Sequence, residues 1–161
     1  MPRPPMGNQI NDRRTPPDLF KRYHDRYHFT LDAAASHENA LLPSHCAVDG
    51  LWWKGGKVED QDGLTYPWEG FRVWVNPPYG RGLLTPFVKK AEREAREHGV
   101  LVAMLLPVRT EQPWFQDLVW PAVCSGLARI EWVRGRLHFS GEKAGAPFPS
   151  MVVIWNDRME V

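Results

Sequence analysis

The tetrapeptide Asn76-Pro77-Pro78-Tyr79 directly follows the apolar run Val73-Trp74-Val75. A proline after Asn76 drives the Asn76 backbone out of the helical region, and each ring holds φ near about −65°. The loop is therefore stiff and needs few contacts to keep its shape. It is expected to point outward the Asn76 side-chain oxygen, the Pro77 carbonyl and the Tyr79 ring. Two acceptors aimed at one point suit an exocyclic amino group, whose hydrogens both donate, and an aromatic face beside them suits stacking on a flat heterocycle. A strand terminator with a surface-packed tyrosine would use the same residues, so the tetrapeptide alone leaves both readings open.

If the amino group is that of adenine, its nitrogen is a poor nucleophile because its lone pair is delocalised into the ring. Accepting both hydrogens favours tetrahedral nitrogen and stabilises the positive charge that develops as it attacks. No base need deprotonate it first. Holding a sulfonium methyl in line, about 3 to 3.5 Å away, would supply most of the remaining catalysis.

Such a loop must be carried by a sheet. Thr15-Pro16-Pro17 reads as a helix start with Thr15 as N-cap, and Leu19, Phe20, Tyr23 and Tyr27 follow at helical spacing, predicting a helix over about 16–27. Phe29 to Asp32 reads as a short strand entering the small-residue turn Ala33-Ala34-Ala35. Residues 41–70 show no clear period and are expected to form a long loop, with two similar pieces, Asp49-Gly50-Leu51 and Asp62-Gly63-Leu64. Strand 72–75 then ends at the tetrapeptide. Thr85 and Pro86 open a helix with an apolar stripe at Phe87, Ala91 and Ala95, which Gly99 terminates.

The run Val100 to Leu106 is apolar on both faces, as a central parallel strand covered on each side requires. A helix over 110–120 stopped by Pro121, and strands at 130–133, 137–139 and 151–155, complete the pattern. Strands alternating with helices, followed by consecutive strands, predict an α/β fold with a mainly parallel sheet and an antiparallel C-terminal edge.

The 161 residues, 43% of them hydrophobic, make about one domain: a flexible Pro-rich arm over 1–14 and a single folded domain over 15–161. A net charge of +1 means that binding to a polyanion must come from local clusters of Arg and Lys. Cys46 and Cys124 form no CxxC pair and the N-terminus has no apolar signal core, so a reduced cytoplasmic protein is expected. The longest apolar run is far short of the ~20 residues that span a bilayer. No feature of the sequence sets an oligomeric state.

Arg129, Arg134 and Arg136, near Trp132 and Phe139, form the densest basic stretch, which suits a nucleic-acid face or a charge-protected strand edge. Arg109-Thr110 is either a phosphate or cofactor contact or merely the start of the next helix. His24 with His28, and His45 beside Cys46, do not supply three or four ligands at a recognised spacing, so no metal is expected. Trp52 and Trp53, if exposed, could stack on a base or cover a cofactor.

Several motifs recur in one order: Thr15-Pro16, Leu31-Asp32-Ala33-Ala34-Ala35, Asn39-Ala40, Asp62-Gly63-Leu64, Trp68, Asn76-Pro77-Pro78-Tyr79, Leu106-Pro107-Val108-Arg109-Thr110, Trp114-Phe115, Gly135-Arg136-Leu137-His138-Phe139 and Pro147-Phe148-Pro149-Ser150. In this order the chain resembles the phage-type, Dam-like DNA N6-adenine methyltransferases, over about residues 15–155. The resemblance implies a Rossmann-like S-adenosylmethionine-dependent methyltransferase fold and methylation of a flipped adenine at N6 in double-stranded DNA. It implies a phage- or prophage-encoded enzyme in the cytoplasm of a bacterial host.

By the same resemblance Asn76, Pro77, Pro78 and Tyr79 are catalytic, and Thr15, Pro16, Asp32, Ala33, Ala34, Asp62 and Asn76 lie at the cofactor. Tyr79, Arg109, Arg134 and Arg136 are expected at the nucleic acid. The glycine-rich FxGxG cofactor loop of larger methyltransferases is replaced by "LDAAASHEN", and the short interval from Asp32 to Asn76 has no room for a separate target-recognition domain. The alternatives are methylation of another amino or amide nitrogen (cytosine N4, an RNA base, a protein glutamine), or a catalytically silent nucleic-acid-binding protein of the same fold.

Overall fold

A computed structural model describes residues 13–35, 40–47, 50–53, 56–59, 62–80, 82–139 and 145–158. The chain forms helix α1 (Pro17–Tyr27), strands β1 (Leu31–Asp32), β2 (His45–Ala47), β3 (Gly50–Trp53), β4 (Gly56–Glu59) and β5 (Val73–Val75), and helix α2 (Leu84–His98). Strand β6 (Val102–Pro107), a π-helical turn (Phe115–Val119), helix α3 (Trp120–Cys124), and strands β7 (Ala128–Trp132) and β8 (Ser150–Trp155) follow. All strands join one eight-stranded sheet in the order β4-β3-β2-β1-β5-β6-β8-β7. Its centre, β2-β1-β5-β6, is parallel, and β8 and β7 form the expected antiparallel C-terminal edge.

Period-2 alternation divides the core between the two faces. On β5, Val73 and Val75 pack with Val102, Met104 and Leu106 of β6 beneath α2, α3 and the π turn, while Trp74, Ala103 and Leu105 face α1. Both faces are covered, which is why β6 and β8 are buried along their whole length. After β1 the chain turns toward β2, and after β5 it crosses through α2 to β6 on the other side. The crevice at the carboxyl ends of β1 and β5 is thus a topological switch point, where ligands of open α/β sheets bind.

Some expectations need correction. Residues 41–70 are not a structureless loop: β2, β3 and β4 extend the sheet as an antiparallel edge, with Ala47 opposite Gly50 and Trp53 opposite Gly56. Pro121 does not stop a helix but sits in the first turn of α3, where its missing N–H is not needed. The preceding turn widens so that the Trp120 N–H reaches the Phe115 carbonyl. Residues 137–139 join no ladder, because the chain turns at Gly135 (φ 72°) and the Leu137 carbonyl accepts the Ala146 N–H instead. Gly99 ends α2 in the left-handed conformation, as expected. Of the arm expected over 1–14, only Arg13 and Arg14 are among the described residues.

Candidate active site

Asn76 begins where β5 ends, and its side chain is held by the segment that precedes α1. Thr15 does not cap that helix; Pro16 occupies the cap position without a side-chain bond. The Asn76 Nδ2 group instead donates to the Thr15 hydroxyl oxygen at 3.0 Å and to the Arg13 carbonyl at 2.6 Å. A carbonyl carries no proton, so the atom facing Arg13 must be the amide nitrogen. Both amide hydrogens are thereby engaged, and Oδ1 is left buried with no hydrogen-bond partner. Its lone pairs are open to a donor supplied from outside the chain.

Pro77 is buried and Pro78 half-buried. Tyr79 is half-buried, and its hydroxyl turns inward to donate to the Leu105 carbonyl of β6 at 2.9 Å. Its ring meets Phe148 and Phe139 near-perpendicularly, with centroids 5.6 and 6.3 Å away. Burial raises the phenol's pKa, so it stays a neutral donor. The ring expected to project freely is thus braced from three sides. The Arg13 guanidinium lies over Phe148 at 4.8 Å and over Phe139 at 5.5 Å, and Arg109 lies over Phe148 at 5.6 Å.

At the end of β1, Asp32 is 3% exposed, with Oδ2 accepting the Leu41 N–H at 3.1 Å. Burial pushes its carboxyl up to about 6, opposed by the backbone N–H groups of Leu41 and Ala34. Asp32 therefore shapes the chain that follows β1. Ala33 is fixed to β5 through the Trp74 carbonyl (3.0 Å). Asp62 Oδ1 accepts the N–H groups of Leu64 (2.9 Å) and Thr65 (3.1 Å), forming an Asx turn. That turn sets Gly63 against Ala33 so closely that a Cβ on Gly63 would lie 1.8 Å from the Ala33 oxygen. Trp68 locks it, donating Nε1–H to the Gly63 carbonyl at 2.9 Å. Asp49, which opens the similar Asp-Gly-Leu piece, lies outside the described residues.

The sheet end thus gathers Thr15, Pro16, Asp32, Ala33, Asp62 and the tetrapeptide, with Arg109 just beyond β6. Arg134 and Arg136 are exposed after β7. Arg129 does not join them: it pairs with Asp157, donates to the Tyr27 hydroxyl at 2.7 Å, and lies 3.5 Å from Glu131. His24 stacks on Phe20 and meets His28 edge-on, as packed histidines do. The side chains of Trp52 and Trp53 lie outside the described residues. Arg13, Gly63, Phe139 and Phe148 were missed as site residues. The signal for the two phenylalanines was present in the strings "GRLHF" and "PFPS", where aromatic residues sit among loop formers.

A covered α/β sheet thus carries a proline-stiffened, acceptor-bearing Asn-Pro-Pro-Tyr loop at its switch point. Residues 8–160 match the family model described as DNA N-6-adenine-methyltransferase (Dam), and the chain belongs to that family. It is 32% identical over 128 residues to the DNA N-6-adenine-methyltransferase of Escherichia phage T1, covering 76% of this chain and 44% of that protein. It is 29% identical over 123 residues to the enzyme of the same name from Haemophilus phage HP1, covering 71% of this chain and 64% of that protein. The chain therefore spans less than half of the first relative and under two thirds of the second. Among the described residues, no helix is long and apolar enough to cross a membrane.

Proposed function

We propose that this chain is an S-adenosylmethionine-dependent DNA adenine-N6 methyltransferase, acting as one catalytic domain on an adenine flipped from duplex DNA. The observation that carries this is the Asn76 amide, whose hydrogens are engaged by protein and whose buried oxygen is not. That oxygen, with the Pro77 carbonyl as second acceptor, takes the two hydrogens of the exocyclic amino group. Both hydrogen bonds strengthen as positive charge grows on the nitrogen, which lowers the barrier without a general base. Tyr79, braced by Leu105, Phe139 and Phe148, offers a surface against the base. Arg109, Arg134 and Arg136 meet phosphates, and the protein works inside the bacterial host of a phage or prophage.

The donor site fits the chain's own residues. Ala33 is buried against Gly63, Ala34 adds only a methyl group beside it, and Pro16, Asp32 and Asp62 stand at the same switch point. Bound there, S-adenosylmethionine would supply an electrophilic methyl group. Expression in a methylation-free host, followed by modification-detecting sequencing, tests the assignment: N6-methyladenine in a fixed context is expected. Asn76→Ala should reduce turnover by roughly 10²- to 10³-fold with cofactor affinity nearly intact. N4-methylcytosine in its place, or unmodified DNA from a folded protein that binds S-adenosylmethionine, would refute the adenine assignment.

A further inference from the structure

The geometry points to Thr15 as a positioning residue for methyl transfer: with the Arg13 carbonyl, its hydroxyl forms a strap that holds the Asn76 carboxamide with its oxygen toward the base. It rests on the function proposed above, and it gives Thr15 a task different from the cofactor contact that the family resemblance implies. A carboxamide can rotate by half a turn about its terminal bond and exchange oxygen for nitrogen at almost no steric cost. Reversed, it would present donors to an amino group that itself only donates, and catalysis would stop. At this site both partners of Nδ2 act as acceptors, at 2.6 Å (Arg13) and 3.0 Å (Thr15). Rotation would put Oδ1 against the Arg13 carbonyl, two acceptors facing each other.

The strap is itself anchored. Thr15 is buried, Phe20 N–H bonds the Pro16 carbonyl at 3.1 Å as α1 begins, and the Arg13 guanidinium lies over Phe148 and Phe139. The same two rings brace Tyr79. The amide acceptor and the aromatic surface therefore share one support. The strap also explains why an amide stands at position 76. A carboxylate there would have no hydrogen to give the Arg13 carbonyl, so Asn76→Asp should be as damaging as loss of the Thr15 hydroxyl, or more so.

The experiment compares wild type, Thr15→Val, Thr15→Ser and Asn76→Asp in the full chain. Without cofactor or DNA, the Asn76 side-chain amide is followed by ¹⁵N NMR and assigned by its disappearance in Asn76→Asp. Its protons should exchange slowly with solvent in wild type, at least about 10-fold faster in Thr15→Val, and slowly again in Thr15→Ser. In single-turnover methylation, Thr15→Val should lose about 10- to 30-fold in rate at saturating S-adenosylmethionine and DNA, with the cofactor Kd within about threefold. Thr15→Ser should recover most of that rate. An unprotected wild-type amide, or a Thr15→Val defect confined to cofactor affinity, would overturn the strap. So would full activity in Asn76→Asp. A protected amide in a wild-type protein that does not methylate adenine would overturn the proposed function instead, leaving the strap as the local geometry.

Discussion

Gly63→Ala is the sharpest test of how the Asp62–Leu64 turn closes on β1. A Cβ at this position would lie 1.8 Å from the Ala33 oxygen, 3.0 Å from the Ala33 carbonyl carbon and 3.4 Å from Phe87 Cε1. The Phe87 ring can shift by a few tenths of an ångström, but the Ala33 peptide cannot. It is held by its N–H to the Trp74 carbonyl, and the next residues by Ala35 N–H to the Cys46 carbonyl, both at 3.0 Å. Ordinary contact requires the two backbones to part by more than about 1 Å, and the 2.9 Å bond from Trp68 to the Gly63 carbonyl is the contact most exposed to that movement. Overpacking costs about 1 to 3 kcal/mol and a lost buried hydrogen bond about 1 to 2 more, so the expected loss is roughly 2 to 5 kcal/mol. At about 2 to 4 °C per kcal/mol for a chain of this size, Tm should fall by roughly 5 to 20 °C. Gly126→Ala is the control: with φ 81° and nothing within 4 Å, it meets only left-handed strain of about 1 to 2 kcal/mol. Urea unfolding of both variants decides it. A Gly63→Ala protein no less stable than the control would show that the turn is not wedged against Ala33.

Three further outcomes follow from the site. Tyr79→Phe should keep the ring and most turnover while costing about 1 to 3 kcal/mol in urea unfolding, because the Leu105 carbonyl loses its donor. Tyr79→Ala should in addition weaken capture of flipped-base DNA, read from KM. Asp32 should titrate near 6 in ¹³C carboxyl NMR. The native state holds that proton more tightly than the unfolded chain, so its stabilising contribution is complete below about pH 4 and is lost as pH rises through about 6. A midpoint near 4 would contradict the burial argument. Replacing Arg134 and Arg136 together by Ala should reduce the slope of log K against log salt by roughly 2, whereas Arg129→Ala should destabilise the fold and leave the slope unchanged.

The elements that carry the site were legible because their signals are local. An apolar run ending in Asn-Pro-Pro-Tyr, a stripe at Phe87, Ala91 and Ala95 closed by Gly99, and a doubly apolar run at 102–106 each identify themselves within a few residues. Strands β2 to β4 did not. They are short, lie at one edge, and owe their extended form to pairing across register, which no window of polar and aromatic residues displays. The signal that existed was turn length: Ala47 to Gly50 and Trp53 to Gly56 are each joined by two residues, the second pair including Gly55. The role of Arg129 was left open for the complementary reason: its partners, Asp157 and Tyr27, are remote in sequence, so no local window displays the ion pair.

The tetrapeptide shows most directly what spacing leaves open. As a string it suits both a strand terminator and a base pocket, and its two readings differ in one physical respect, whether the Asn76 oxygen is satisfied by the protein. A terminator would use that oxygen to accept a nearby backbone N–H and complete the turn. Here the nitrogen is taken up by residues more than sixty positions earlier in the chain, and the oxygen remains without a partner in a buried setting. The acceptor is aimed by a segment that composition alone assigns in part to a flexible arm. If Asn76 acts as proposed above, Arg13 and Thr15 matter to the rate as much as the motif they orient, and a variant that preserves Asn-Pro-Pro-Tyr while releasing the strap should fold, retain its cofactor site and lose its rate.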